Sequence, residues 1–306
     1  MKETEKLISA SLISEIRKNN RPTFLEENPM NKKLIAIVLT IILTLGIAVF
    51  AIDSRLKTVH YTVENPKSET PLRIAFISDL HSCLYGGDDQ SDLLEAVRAQ
   101  NPDMVLLGGD IFDSRRMPDD GGVTALKALG SEYNCYYVSG NHEVRHGKLD
   151  YYKEIVASCG ITVLDGFNTK IAISAISGTP DVYGFDDTTA YKNLDEQLAH
   201  IKRTTENFHF EESFNILLIH RPENFEHYAD LGFDLVLAGH AHGGQWRIPG
   251  LLNGLYCPGE GLFPKYAGGL YQKDGTTMIV SRGLAKESNF VPRIFNRPEL
   301  VIIDIV

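Results

Sequence analysis

The chain is poor in cysteine, has no basic tract and has no repeat. Its four cysteines, Cys83, Cys135, Cys159 and Cys257, fall at spacings that match neither a zinc motif nor a small disulfide scaffold, which excludes a stapled mini-domain. The formal net charge is -10, and no run of Lys and Arg offers the track along which phosphates of a nucleic acid bind, so no nucleic-acid partner is expected. No internal repeat or low-complexity segment is visible. Residues 34–52 contain no charge at all, and only Thr40, Thr44 and Gly46 interrupt their aliphatic run.

What remains is globular. With 306 residues, 43% of them apolar and 23% charged, the chain has material for one large core. Five apolar runs each end on a polar cluster. Asp79-Leu80-His81 follows 72–78, Gly109-Asp110-Ile111-Phe112-Asp113 follows Met104–Leu107, and Gly140-Asn141-His142-Glu143 follows 136–139. His220 follows 214–219, and Gly239-His240-Ala241-His242 follows 233–238. Short β-branched runs read as buried strands, and ligands of open α/β sheets bind beyond the carboxyl ends of strands, so the clusters are expected to converge. Asp79 and His81 are two residues apart, as are His240 and His242; on an extended backbone each pair points to one face and can share an ion. Asp110 is the natural carboxylate to bridge two cations about 3.5–4 Å apart. Mixed carboxylate and imidazole donors suit Mn, Fe, Zn, Co or Ni better than an all-oxygen calcium site.

The motif order DxH, GDxxD, GNH(E/D), isolated His and GHxH resembles the calcineurin-like metallophosphoesterase superfamily, from about residue 72 to 304. The run from Gly239 to Gln245, Leu262-Phe263-Pro264-Lys265-Tyr266, Ser281-Arg282-Gly283-Leu284 and Asn296-Arg297-Pro298-Glu299 resemble its membrane-associated YkuE/YaeI-type branch. The resemblance implies two divalent metal ions, Mn first among the candidates. Asp79, His81, Asp110 and His242 would hold one; Asp110, Asn141, His220 and His240 would hold the other. It also implies phosphoester hydrolysis by metal-activated hydroxide, with Asn141 near the substrate and His142 as general acid. Asp113 would orient His142, although a second Asp in this loop equally caps a helix or closes a turn. Arg282, after the strand Thr276–Val280, is a candidate phosphate fork or an ordinary structural Arg. His60, His146, His200, His209 and His227 fit no ligand spacing. Cys83, two residues after His81, is a candidate outer-sphere group.

The expected fold is α/β: a four-layer αββα sandwich of two mixed sheets flanked by helices, preceded by one transmembrane helix. Helical spacing marks 91–100, 123–129, 151–158 and 194–203, whereas 171–176, Thr276–Val280 and 300–305 read as a second, partly antiparallel sheet. Residues 246–275, rich in Gly, Pro and aromatics, read as an irregular wall or lid beside the cluster. As a helix, 34–52 spans about 28 Å against a hydrocarbon core of about 30 Å. A cleaved signal ending near Ala51 is the rival, but the long leader and the length of the run favour an uncleaved anchor. The organisation is then a cytoplasmic tail at 1–33, an anchor at 34–52, a linker and lead-in at 53–71 and a catalytic domain at 72–306. Arg17, Lys18, Arg21, Lys32 and Lys33 precede the anchor and Arg55, Lys57 and Lys67 follow it, which places the N-terminus in the cytoplasm and the catalytic domain outside. Residues 7–16 suggest a short amphipathic helix in the tail. An anchored acidic domain with an aromatic-rich wall favours a lipid-linked or cell-envelope phosphodiester or pyrophosphate. The alternatives are a phosphomonoesterase on small soluble phosphates and a metal-containing binding module without catalysis.

Overall fold

The computed structural model describes residues 29–67, 71–113, 115, 120–166, 171–172, 180–206, 213–257, 259–288 and 291–306. The expected helix at 7–16 and residues 173–176 of the expected strand lie outside these. The chain divides into two compact units, 1–50 and 51–306.

In the first unit, helix α1 (Pro29–Ala51) runs through the uncharged stretch, and the side chains of residues 32–50 are exposed. Its two hydroxyls are turned onto the backbone, Thr40 Oγ1 donating to Ala36 O and Thr44 Oγ1 to Thr40 O, both at 2.8 Å, so beyond Lys33 the helix presents little polar surface.

Among the described residues, the second unit has sixteen strands: β1 (Lys57–Val63), β2 (Leu72–Ile77), β3 (Met104–Leu107), β4 (Cys135–Tyr137), β5 (Thr162–Val163), β6 (Ile171–Ala172), β7 (Asp181–Gly184), β8 (Asn215–Leu218), β9 (Leu235–Ala238), β10 (Tyr256–Cys257), β11 (Gly261–Leu262), β12 (Gly269–Lys273), β13 (Thr276–Val280), β14 (Glu287–Ser288), β15 (Val291–Pro292) and β16 (Glu299–Ile305). One sheet has the order β1-β16-β2-β3-β4-β5 and the other β12-β13-β9-β8-β7-β6. Within the first, β2 to β5 are parallel; within the second, β13, β9, β8 and β7 are parallel and the two outer strands antiparallel. Parallel central strands send all their carboxyl ends to one edge, and every polar cluster follows such an end.

The period of two along each strand sorts the side chains between layers. Ile74 and Phe76 of β2 face Ile216 and Leu218 of β8, Leu235 and Leu237 of β9 and Ile279 of β13 in a fully buried core between the sheets. Ala75 and Ile77 face the other way, onto α2 (Ser91–Arg98), α3 (Asp120–Glu132) and, beyond the single turn α4 (Asn141–Val144), α5 (Leu149–Ser158). On the far side, Leu217 and Ile219 meet Ile201 of α6 (Leu194–Thr205) and Phe225 and Tyr228 of α7 (Phe225–Ala229). The layers are therefore α, β, β, α. Removing the side chain of Phe76 from the central core would cost about 3–5 kcal/mol.

Three details differ from the sequence expectation. The strand at 300–305 lies in the first sheet, parallel to β1 and antiparallel to β2. Within the lead-in at 53–71 there is a strand that the sequence did not mark, β1, which pairs along its whole length with β16. The wall at 246–275 is less irregular than expected: β10 pairs with β11 inside it, and β12 pairs with β13 at its end.

Candidate metal centre

Asp79, His81, Asp110, His240 and His242 all have a left-handed backbone, with φ between +46° and +65°. Few non-glycine residues adopt this region, and Asp and His are among those that tolerate it. The turns are held by their neighbours: Asp79 N donates to Gly109 O at 2.9 Å, His81 N to Asp110 O at 3.0 Å, and Gly239 N to His220 O at 3.0 Å. The pairs 79/81 and 240/242 thus converge through tight turns, not along extended strands as the spacing suggested. Gly140 is required by contact, since a Cβ there would overlap Asp110 Oδ1.

The donors meet in two adjoining groups. His81 Nε2 and His242 Nε2 are 3.2 Å apart, His81 Nε2 lies 3.5 Å from Asp110 Oδ2, and His242 Nε2 lies 3.5 Å from Asp79 Oδ1. In the second group His220 Nε2 is 3.3 Å from Asp110 Oδ2, and His240 Nδ1 is 3.2 Å from His220 Nε2. Asp110 Oδ2 is common to both. Each group offers ligand atoms within 4.8 Å of one another, all on buried residues.

Second contacts fix which nitrogen faces inward. His220 Nδ1 bonds Gly108 O at 2.8 Å, which leaves Nε2 for the centre. Arg221, anchored on Asp187 at 2.8 Å, places Nη1 3.2 Å from His240 Nε2. Asn141 lies against His240: one amide orientation donates to His240 Nδ1 at 2.9 Å, and the other sets the amide oxygen beside that nitrogen, as two ligands of one cation would stand.

Electrostatics favour a cation. Burial lowers His81 to about 3 and takes His240 and His242 well below the ordinary imidazole value, so all three are neutral donors at neutral pH. Burial, with Asp110 nearby, pushes Asp79 up to about 6. For His220 burial acts downward, yet the charge of Asp110 and its hydrogen bond prevail and raise it to about 10. Two carboxylates and four imidazoles buried together have more lone pairs than protons. Divalent ions satisfy such a set, so the residues fit the metal pair that the sequence motif implies.

Beside this centre His142 Nδ1 faces Asp113 Oδ1 at 3.4 Å, and its ring meets His81 edge-on with centroids 4.5 Å apart. Burial would raise Asp113, but bonds from His142 and Arg115 hold its carboxyl well below the usual range. Arg145 Nη1 is 3.3 Å from His142 Nε2. Arg282 Nη2 donates to Asn253 Oδ1 at 2.9 Å and Gly268 O at 3.2 Å and its Nε approaches Glu299 at 3.8 Å, while its buried Nη1 meets no hydrogen-bond partner among the described residues. Cys83 is buried in the core under the first sheet.

Sequence reasoning missed three residues. Glu143 accepts from the backbone N–H of Asp110 at 3.0 Å, Gly140 at 2.8 Å and Phe112 at 3.1 Å, and so clamps two of the loops together. Burial pushes its pKa up to about 8. Arg145 and Arg221 are the others. The place of Arg145 two residues after Glu143, and of Arg221 directly after His220, was the only available signal.

Residues 72–244 match the family model of the calcineurin-like phosphoesterases. The chain belongs to this family. It is 30% identical over 241 residues to an uncharacterised metallophosphoesterase of Campylobacter jejuni, covering 74% of this chain and 62% of that protein's length. Phosphodiesterase YaeI of Escherichia coli is 30% identical over 245 residues, covering 77% of this chain and 83% of YaeI. The uncharacterised metallophosphoesterase YkuE of Bacillus subtilis is 25% identical over 278 residues, covering 84% and 88%. The buried Asp/His cluster is the equipment a calcineurin-like phosphoesterase requires for metal-dependent chemistry.

Proposed function

We propose that the chain is a membrane-anchored dinuclear-metal phosphodiesterase that hydrolyses a phosphodiester or pyrophosphate bond of a lipid-linked or cell-envelope substrate. The observation that carries this reading is the meeting of both donor groups at Asp110 Oδ2. Asp79, His81, Asp110 and His242 would hold one cation and Asp110, Asn141, His220 and His240 the other, with Mn the first candidate. Bound there, the pair supplies Lewis acidity toward phosphoryl oxygens and a nucleophilic hydroxide at neutral pH.

The chain's own groups do the rest. Asp113 takes the Nδ1 side of His142, which directs Nε2 toward Arg145 and the substrate; from there His142 donates a proton to the leaving alkoxide. Arg145, with one nitrogen 3.3 Å from His142 and another 3.3 Å from the Asn141 amide, offers a fork to a phosphate beside both. A relative named as a phosphodiesterase supports a diester over a monoester.

A membrane location is supported by α1, whose Lys32–Ala51 segment is long and apolar enough to cross a bilayer. The tail at 1–33 would be cytoplasmic, 34–52 the anchor, 53–71 a lead-in that includes β1, and 72–306 the catalytic domain outside. The test is turnover by the full chain, with Mn added or chelated, of bis-p-nitrophenyl phosphate, p-nitrophenyl phosphate and a diester presented in liposomes. Metal-dependent diester turnover, higher on liposomes, is expected. Preference for the monoester overturns the diester reading, and absence of turnover with two metals bound leaves a binding role.

A further inference from the structure

We infer that an apolar rim formed by Trp246, Ile248, Leu251, Tyr256, Leu262 and Phe263 seats the catalytic domain in the surface of a lipid bilayer, beside the metal centre. All six side chains are exposed, Leu251 by 82% and Leu262 and Phe263 by about two thirds (66% and 64%). A soluble surface scatters single apolar residues; a contiguous set of large ones marks a contact surface.

The six sit on one stitched piece of backbone. Leu255 N donates to Trp246 O at 2.9 Å and Phe263 N to Leu255 O at 2.8 Å, while Tyr256 stands opposite Leu262 in the β10–β11 ribbon. Phe263 keeps a left-handed φ of +60°, a strained conformation for an aromatic residue, and it is retained on an exposed side chain. The only polar side-chain atom of Trp246 is satisfied within the protein, Nε1 donating to Pro292 O at 3.0 Å, which leaves the rest of the ring as apolar surface.

Continuity with α1 identifies the occupant as lipid. Trp246 bridges Ile294, Arg247 N donates to Ile294 O at 2.9 Å, and the adjacent Phe295 N donates to Ala51 O at 2.6 Å. Ala51 is the last residue of α1. Arg297 then ties down the carbonyls of Arg55 and Leu56, both at 2.9 Å. Backbone contacts within the second unit therefore link Trp246, through Ile294 and Phe295, to Ala51. Charge agrees: residues 246–266 contain Glu260 as their single acid, against Arg247 and Lys265, in a chain of formal charge -10. An anionic membrane surface would repel most of this domain and accept this part. Trp246 lies only four residues beyond His242, so a phosphate in the headgroup layer would lie close to the candidate centre.

This inference rests on the reading of α1 as a bilayer anchor, and the test separates the two. Trp246 is the chain's one tryptophan, so its emission reports the rim alone. The full chain is reconstituted in phosphatidylcholine and phosphatidylglycerol vesicles, with acyl chains either plain or brominated. Emission about two-fold weaker in brominated vesicles is expected, as for a side chain about 5–10 Å into the interface. The triple variant Leu251→Asp, Leu262→Asp, Phe263→Asp, whose circular dichroism should match wild type because all three positions are exposed, is expected to lose that quenching. Equal wild-type emission in both vesicles, or a variant quenched as strongly as wild type, overturns the rim. Flotation of the chain with the vesicles reads the anchor, and metal-dependent turnover of bis-p-nitrophenyl phosphate by the same wild-type vesicles reads the catalytic proposal.

Discussion

Asp113 and Glu143 are buried carboxylates with different work. Asp113 faces one ring nitrogen of His142, and the other, 3.3 Å from Arg145 Nη1, is the one proposed to donate a proton to the leaving group. Replacing His142 with Ala should lower kcat by about 10²–10⁴ for a diester with an alkyl leaving group, and by much less for p-nitrophenolate, which needs little protonation. Metal content should be unchanged, and comparison of the two leaving groups checks the assignment. Glu143 acts on the backbone. In Glu143→Gln an amide NH2 would face N–H donors, with an expected loss of about 1–3 kcal/mol that denaturant titration would detect. The candidate ligands were legible because Asp, His and Asn at strand ends have little other reason to cluster. Arg282 read as a candidate phosphate fork or a structural Arg because it follows a strand, and the partners of its Nη2 and Nε, Asn253, Gly268 and Glu299, lie too far off in sequence to leave a local signal.

At the scale of elements, helix α7 is tied to the strand pair β12–β13 and its lead-in through one carboxylate. Glu226 accepts from Lys265, Lys273 and Tyr266, and these hydrogen bonds lower its pKa from 4.5 to about 2. A lowered carboxylate contributes stability that is present above its unfolded value and lost as pH falls through the folded one. Wild type should therefore melt higher than Glu226→Gln at pH 7, with the difference shrinking as pH drops from about 4.5 towards 2; a constant difference across that range would refute the clamp. The central strands were legible from their unbroken apolar runs. β1 was not, because its burial alternates between exposed and half-buried, as suits an edge strand, and so carries no run. β16 was legible as a strand but not in its place: nothing local in an apolar C-terminal segment specifies pairing with β1 and β2 in the first sheet, which depends on both ends of the domain closing together.

For the whole molecule, the proposed topology puts Arg17, Lys18, Arg21, Lys32 and Lys33, ahead of the uncharged stretch at 34–52, on the cytoplasmic side and residues 72–306 outside. External protease on intact cells should then digest the catalytic domain while sparing the first thirty residues, and the opposite pattern would reverse the orientation. The two sheets bring clusters from residues 79 to 242 to one edge, and their meeting point is a single carboxylate. That point is reached most directly by counting divalent ions per chain, alongside turnover of bis-p-nitrophenyl phosphate, for wild type and Asp110→Asn. Two ions per wild-type chain are expected, with turnover abolished by chelation and restored by Mn, and with both ion content and turnover falling in the variant, the latter by about 10³ or more. Undiminished turnover after metal removal, or an Asp110→Asn variant that keeps both ions and full activity, would contradict a dinuclear phosphoesterase built around Asp110.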